Sequence, residues 1–183
     1  MQWIPQNKWL YLFLLSLIWG SSYILIKRGL VGLTPIQLGS VRIVFSTVFL
    51  LLMGYKSLKG LTKNQWKWLV ITGFLGTFFP SFFFAFAQQH IDSSVAAIMN
   101  SLTPIFTLII GVAFFSTRML TRQYFGVLLG FVGSLGLIWG GTQINAAQPT
   151  GYVLLIMSAS MCYAINIYFL KHKLDDVSPM AMT

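Results

Sequence analysis

Apolar residues run through this chain in six long stretches separated by short polar gaps. The stretches are Trp9 to Ile26, Ile36 to Tyr55, Trp66 to Phe86, Ser93 to Phe115, Gln123 to Trp139 and Thr150 to Leu170. A helix needs about 20 mostly apolar residues to cross a hydrocarbon core of about 30 Å. Transmembrane strands run only about 9–11 residues with strict alternation, which these stretches lack. The pattern therefore predicts six transmembrane helices. No gap is long enough for a soluble domain, so whatever the protein does, it does within the bilayer or at its faces. The first run follows Lys8, which raises the possibility of a cleaved signal peptide. Such a signal has an apolar core of about 7–15 residues and a small-residue cleavage site. This run is longer and carries the bulky Trp19 near its end, so it reads as a span.

Composition agrees. Charged residues are 8% of the chain and hydrophobic residues 56%, against about 25% charged in a typical soluble domain. That excludes an ordinary cytosolic enzyme, a disordered chain and a disulfide-rich secreted module. The single cysteine, Cys162, sits in an apolar run and carries no redox information.

The distribution of positive charge sets an expected orientation. With the N-terminus inside, the inner segments carry Lys8, Lys56, Lys59, Lys63, Lys67, Arg118, Arg122, Lys171 and Lys173, and the outer ones only Lys27 and Arg28. The expectation is a cytoplasmic N-terminus. The net charge of +9 is then topogenic charge facing anionic lipid. No nucleic-acid partner is expected, because no basic cluster accompanies a folded soluble module.

Shifting the sequence by 144 residues reveals an internal correspondence. Leu10, Ser16, Lys27, Leu30 and Pro35 meet Leu154, Ser160, Lys171, Leu174 and Pro179 without a gap. Trp19 meets Tyr163, Gly20 meets Ala164, Ser22 meets Asn166 and Thr34 meets Ser178. Five spans separate the copies, so they have opposite topology. Inverted repeats are a signature of secondary transporters, with the site near the midplane where the repeats meet. The expected architecture is an all-α integral membrane protein of six transmembrane helices. Residues 9–139 form a first five-helix repeat, and residues 150–183 begin an inverted second repeat that is not completed.

The stretch WLYLFLLSLIWGSSYILIKRGL, followed by TP and an arginine seven residues after that proline, resembles the opening of EamA-type permeases of the drug/metabolite transporter superfamily. AFAQQHIDSSVAAIMNSLTPIFTLIIGVAFF is similar to that family's third-to-fourth span region, RQYFGVLLGFVGSLGLIWG to its glycine-rich fifth span and GYVLLIMSASMCYAINIYFLK to its sixth. The resemblance covers essentially the whole chain. It implies a permease that moves small metabolites such as amino acids, usually with ten spans in two repeats. Two departures stand out. Thr117, before Arg118, occupies the position of a glutamate common in the family. Spans seven to ten are also absent, which raises a truncated product or a non-transporting scaffold as the alternative to a functional short form.

Arg42 lies well inside a span. A charge at the centre of a spanning helix costs about 2.5–3.5 kcal/mol on the insertion scale, so it must face protein, water or the interface. Gly39, Arg42 and Ser46 share a helical face by spacing, which should point into the bundle. A guanidinium binds a carboxylate with two parallel hydrogen bonds, so Arg42 is a candidate substrate anchor. A structural arginine bonding helix-end carbonyls or snorkelling outward is the other reading. In span four, Asn100, Thr103 and Thr107 share a face beside Pro104, which suggests a cavity wall with a hinge or interhelical hydrogen bonding. In span three, Gly73, Thr77, Pro80, Phe84 and Gln88 are expected on one face, with a kink at Pro80. The glycines of span five, Gly126, Gly130, Gly133 and Gly136, suggest close backbone approach.

Trp19, Ser22, Arg42, Asn100, Tyr163 and Asn166 are the expected substrate-binding residues. Trp19 and Tyr163 could instead belong to an interfacial aromatic belt. Asp92, Asp175 and Asp176 all lie in loops and His90 and His172 at span ends, so no catalytic or metal-ligating constellation is visible in the bilayer. The expectation is a transporter and not an enzyme, with no metal or cofactor, a small-molecule substrate and the lipid bilayer as partners. Substrate, direction, coupling ion and oligomeric state are not legible.

Overall fold

The computed structural model describes residues 8–115, 120–140 and 150–182, and Thr117 and Arg118 lie outside the described residues. Among the described residues every regular element is helical: α1 (Lys8–Gly29), α2 (Pro35–Gly54), α3 (Lys63–Gly73), α4 (Phe79–His90), α5 (Ser93–Asn100), α6 (Thr103–Phe115), α7 (Thr121–Gly140), α8 (Thr150–Lys173) and the short α9 (Pro179–Met182), with a 3₁₀ turn over Tyr55–Leu58 and a π turn over Phe74–Phe78. Five segments are long and apolar enough to cross a membrane: Trp9–Gly29, Pro35–Leu58, Lys63–His90, Ser93–Phe115 and Gly151–Lys173. Helix α7 adds a sixth of 20 residues, which spans about 30 Å at the helical rise. The chain is a multi-pass, all-helical membrane protein.

Local sequence accounts for the helix starts. Thr34 caps α2 in a reciprocal box: its side chain accepts from the Gln37 amide at 3.3 Å, and Gln37 accepts from the Thr34 amide at 3.0 Å. Pro35 follows at the first turn, where the missing N–H has no intrahelical partner to lose. Thr62 and Gln65 repeat the box at α3.

Proline shapes spans three and four differently from the simple kinks expected. Before Pro80 the helix widens into the π turn Phe74–Phe78, which accommodates the ring that would otherwise meet the carbonyl four residues back. The extra residue shifts the helical phase. Pro80, Phe84 and Gln88 are buried while Gly73 and Thr77 are exposed, so the single expected face is divided in two. In span four the helix breaks at Ser101 and Leu102, and Pro104 sits in the first turn of α6.

Helix α8 occupies the centre of the bundle. It packs along α4 and α6 and also touches α5, α3 and the π turn. Helices α1 and α2 lie outside, held mainly near the Lys27 end: α1 packs on α4 and α5, α2 on α4. Gly39 makes the α2–α4 approach possible, because a Cβ there would stand 2.7 Å from the Phe82 ring. One apolar cluster, with Ile26, Leu38, Phe84, Ile91 and Ile156 among its members, ties these helices together. At the opposite end Leu174, Val177 and Ala181 pack with Trp68 and Leu69.

The boundaries of α1 and α8 also recur at the 144-residue shift. Gly29 and Lys173 end the two helices, and Pro35 and Pro179 begin the next. The bond from the Leu30 amide to the Ile26 carbonyl, 3.0 Å, has its counterpart from Leu174 to Leu170, 3.2 Å.

A buried polar cluster between α1, α2, α5 and α8

The polar residues inside the bundle converge on Asn100 at the C-terminal end of α5. Its side-chain Nδ2 donates to the Tyr23 hydroxyl of α1 at 2.7 Å. Its Oδ1 accepts from Ser160 of α8 and from Thr103 of α6, each at 3.1 Å. Thr103 also donates to the Asn100 carbonyl at 2.7 Å, satisfying one of the groups freed where the helix breaks. One amide thus joins four helices. Ser160 is fully buried, and a hydroxyl in that position requires such a partner.

Aromatic rings adjoin the network. Tyr23 meets Phe84 edge-on with centroids 5.7 Å apart, and Phe84 stacks on Tyr163 at 6.3 Å. Arg42 lies within electrostatic reach of the Tyr163 and Tyr23 phenols. Its Nη1 is buried, and no group among the described residues accepts a hydrogen bond from it. About one turn along α8 from Tyr163, Asn166 has a buried Oδ1 that likewise has no donor. The Asn166 side chain lies against Gly76 in the π turn, where a Cβ would collide with its Nδ2.

Of the six residues expected at the site, the structure gathers Arg42, Asn100 and Tyr163 around Tyr23, and sets Asn166 close by on α8. It does not bring Trp19 and Ser22 into the cluster. Trp19 is 68% exposed, and half-buried Ser22 donates to the Trp19 carbonyl at 2.7 Å. Tyr23 and Ser160 were not among the expected residues. The signal for Ser160 was its identity with Ser16 under the shift. The signal for Tyr23 was its place one turn before Ile26 and Lys27 on the same face.

Among the described residues, three of the α7 glycines show no close approach of the kind expected. A Cβ at Gly126, Gly133 or Gly136 would meet no described atom within 4 Å. Gly126 and Gly130 instead line a cavity of about 320 Å³ with Ser101, Pro104 and Ile105. A second cavity of about 120 Å³ lies between α2 and α9, lined by Thr47, Gly54 and Met180 among others. Neither is lined by Arg42 or Asn100. No group of three metal-ligating side chains gathers among the described residues.

Residues 7–139, from the start of α1 to the end of α7, match the model of the EamA-like transporter family. The chain belongs to that family. Its relatives are named as transporters. An uncharacterized transporter of Archaeoglobus fulgidus is 29% identical over 97% of this chain and 62% of its own length. The uncharacterized inner membrane transporter YedA of Escherichia coli is 27% identical, over 81% of this chain and 48% of its own length. A probable amino-acid metabolite efflux pump of Salmonella typhimurium is 25% identical, over 93% and 56%. The chain thus spans about half to three fifths of the curated relatives it matches. No solved structure matches it. The family description and the names of these relatives are those of transporters.

Proposed function

We propose that this EamA-family chain serves a permease that moves small carboxylate-bearing metabolites, amino acids among them, across the membrane by alternating access. Arg42 is the anchor for the carboxylate, within a site formed by Tyr23, Asn100, Tyr163 and Asn166. The observation that carries this reading is the buried Nη1 of Arg42, which has no acceptor among the described residues. A guanidinium N–H removed from water with no partner is poorly tolerated, and a carboxylate would supply what is missing. The unpaired Oδ1 of Asn166 offers the complementary acceptor for an ammonium group. The Salmonella relative, named for amino-acid metabolites, supports the same substrate class.

The proposed topology places the N-terminus in the cytoplasm, on the nine-to-two distribution of lysine and arginine. The E. coli relative's inner-membrane name agrees with a bacterial-type inner membrane. Residues 9–139 form one five-helix unit and residues 150–183 open a second of inverted topology. Rocking of the two units about the polar cluster would expose it to each side in turn. Trp19 and Ser22 stand outside the cluster in this conformation and would join the site on this reading only as the two units rock.

The test is counterflow of a carbon-14-labelled mixture of L-amino acids in vesicles reconstituted with the protein. Accumulation above empty vesicles is expected, and Arg42→Gln should lower it at least tenfold with unchanged expression. Wild-type flux no greater than in empty vesicles would favour the scaffold reading. Normal flux in Arg42→Gln would remove the anchor.

A further inference from the structure

Gln88 is the most conspicuous polar group outside the cluster just described. It is fully buried, and neither its Nε2 nor its Oε1 has a hydrogen-bond partner among the described residues. It lies one turn beyond Phe84 on the buried face of α4, where that helix enters the apolar seal with Ile26, Ile91 and Ile156. A static seal would be served better by leucine, because a buried amide loses two sets of water hydrogen bonds and here regains neither.

The surroundings of Gln88 are built as a closure. Lys27 on α1 donates to the Gln88 carbonyl at 2.8 Å and to the Ile91 carbonyl at 2.9 Å. It thus fastens α1 to the C-terminal end of α4 with hydrogen bonds from a charged donor to helix-end carbonyls. Ser93 adds a bond to the Tyr23 carbonyl at 3.1 Å. His90 stacks on Tyr152 of α8 with centroids 4.1 Å apart. Helices α1 and α8 therefore meet the end of α4 through a lysine latch and a ring stack, and Gln88 lies beneath both.

We propose that Gln88 lines the solute path: when α1 and α8 part from α4 at the Lys27 end, its amide becomes a hydrogen-bonding contact for water and for the passing solute. The unpaired amide favours the parted state, in which both of its groups find partners, and the lysine latch favours the closed one. A two-state element with opposed contributions of this kind is what alternating exposure requires. The proposal rests on the transport reading, but its first test needs no substrate.

In a Cys162→Ala background, Gln88→Cys is exposed in membranes to a charged, membrane-impermeant methanethiosulfonate. Its modification should be at least tenfold faster than that of Ala164→Cys, a fully buried position on α8 toward the Lys171 end. Equal and negligible modification of the two in membranes, with both reacting after denaturation in SDS, would overturn the proposal. A second variant covers the case in which Gln88→Cys does not insert. Gln88→Leu should melt at the wild-type temperature or above while amino-acid flux falls at least tenfold. Wild-type flux in Gln88→Leu at equal expression would overturn the proposal as well. Absence of flux in the wild type would sink the transport reading, and the labelling would still decide whether Gln88 meets water.

Discussion

Helices α1 and α8 carry matching residues and have opposite surroundings. Ser16, Trp19, Gly20 and Ile24 correspond to Ser160, Tyr163, Ala164 and Tyr168 under the 144-residue shift. On α8 Ser160, Ala164 and Tyr168 are buried and Tyr163 stacks on Phe84. On α1 Trp19 is 68% and Ile24 60% exposed, and a Cβ at Gly20 would meet nothing within 4 Å. What α1 does bury lies nearer its C-terminal end: Tyr23, Ile26 and Leu30. Similar helices thus have different neighbours because position in the bundle, more than composition, decides which face is covered. In lipid an apolar face has no need of protein cover, so sequence similarity does not compel similar packing.

The comparison can be broken by paired substitutions. The largest contrast is expected at the paired serines. Ser160→Leu overfills a sealed position and removes one donor from Asn100, so it should destabilise the protein by about 2–4 kcal/mol. Ser16→Leu should stay within about 0.5 kcal/mol. Thermal unfolding in detergent measures both, and equal losses would mean that α1 is as tightly enclosed as α8. Next comes a pair of glycines. Gly111 lies against the Tyr168 hydroxyl of α8, which donates to the Thr107 carbonyl at 2.9 Å. Gly111→Ala should cost about 1–3 kcal/mol. Gly20→Ala, with open space around it, should be neutral or stabilising by up to about 1 kcal/mol through helix propensity alone. The smallest contrast concerns the paired lysines. Lys27→Met loses the two carbonyl bonds of a half-buried ammonium and should lower stability by about 1–2 kcal/mol after allowance for solvent. Exposed Lys171→Met should leave the unfolding temperature unchanged, and a loss matching that of Lys27→Met would reveal a partner on α8.

The fold was legible in the sequence wherever a single physical requirement dominated. Span lengths follow from bilayer thickness, and every one of the six apolar stretches coincides with a helix or a helix pair. Thr34 and Thr62 begin their helices by local chemistry. The division of the face expected for Gly73, Thr77, Pro80, Phe84 and Gln88 was not legible, because a 3.6-residue period cannot register an extra residue held in a wider turn. Nor could spacing reveal that Arg42 lies within electrostatic reach of Tyr23 and Tyr163. That arrangement depends on how α2 leans on α4 through Gly39 and Phe82, contacts far apart along the chain. Asn100 was recognisable as a polar residue beside a break, but its three partners come from three other helices. The direction in which the exposed Trp19 faces is a property of the assembly and is invisible in an isolated helical wheel.

The wide turn at Phe74–Phe78 cuts span three into two screws threaded out of step. Removing a residue between it and Trp68 would rotate the Lys63 end by about 100° relative to α4. That rotation would swing Trp68 away from Phe169, whose ring centroid lies 5.2 Å from it, and from the ammonium of Lys173 at 5.3 Å. A residue removed from the wide turn itself would let the coil close to a regular α-helix with both halves facing as before, as slack can be taken from a rope without moving its ends.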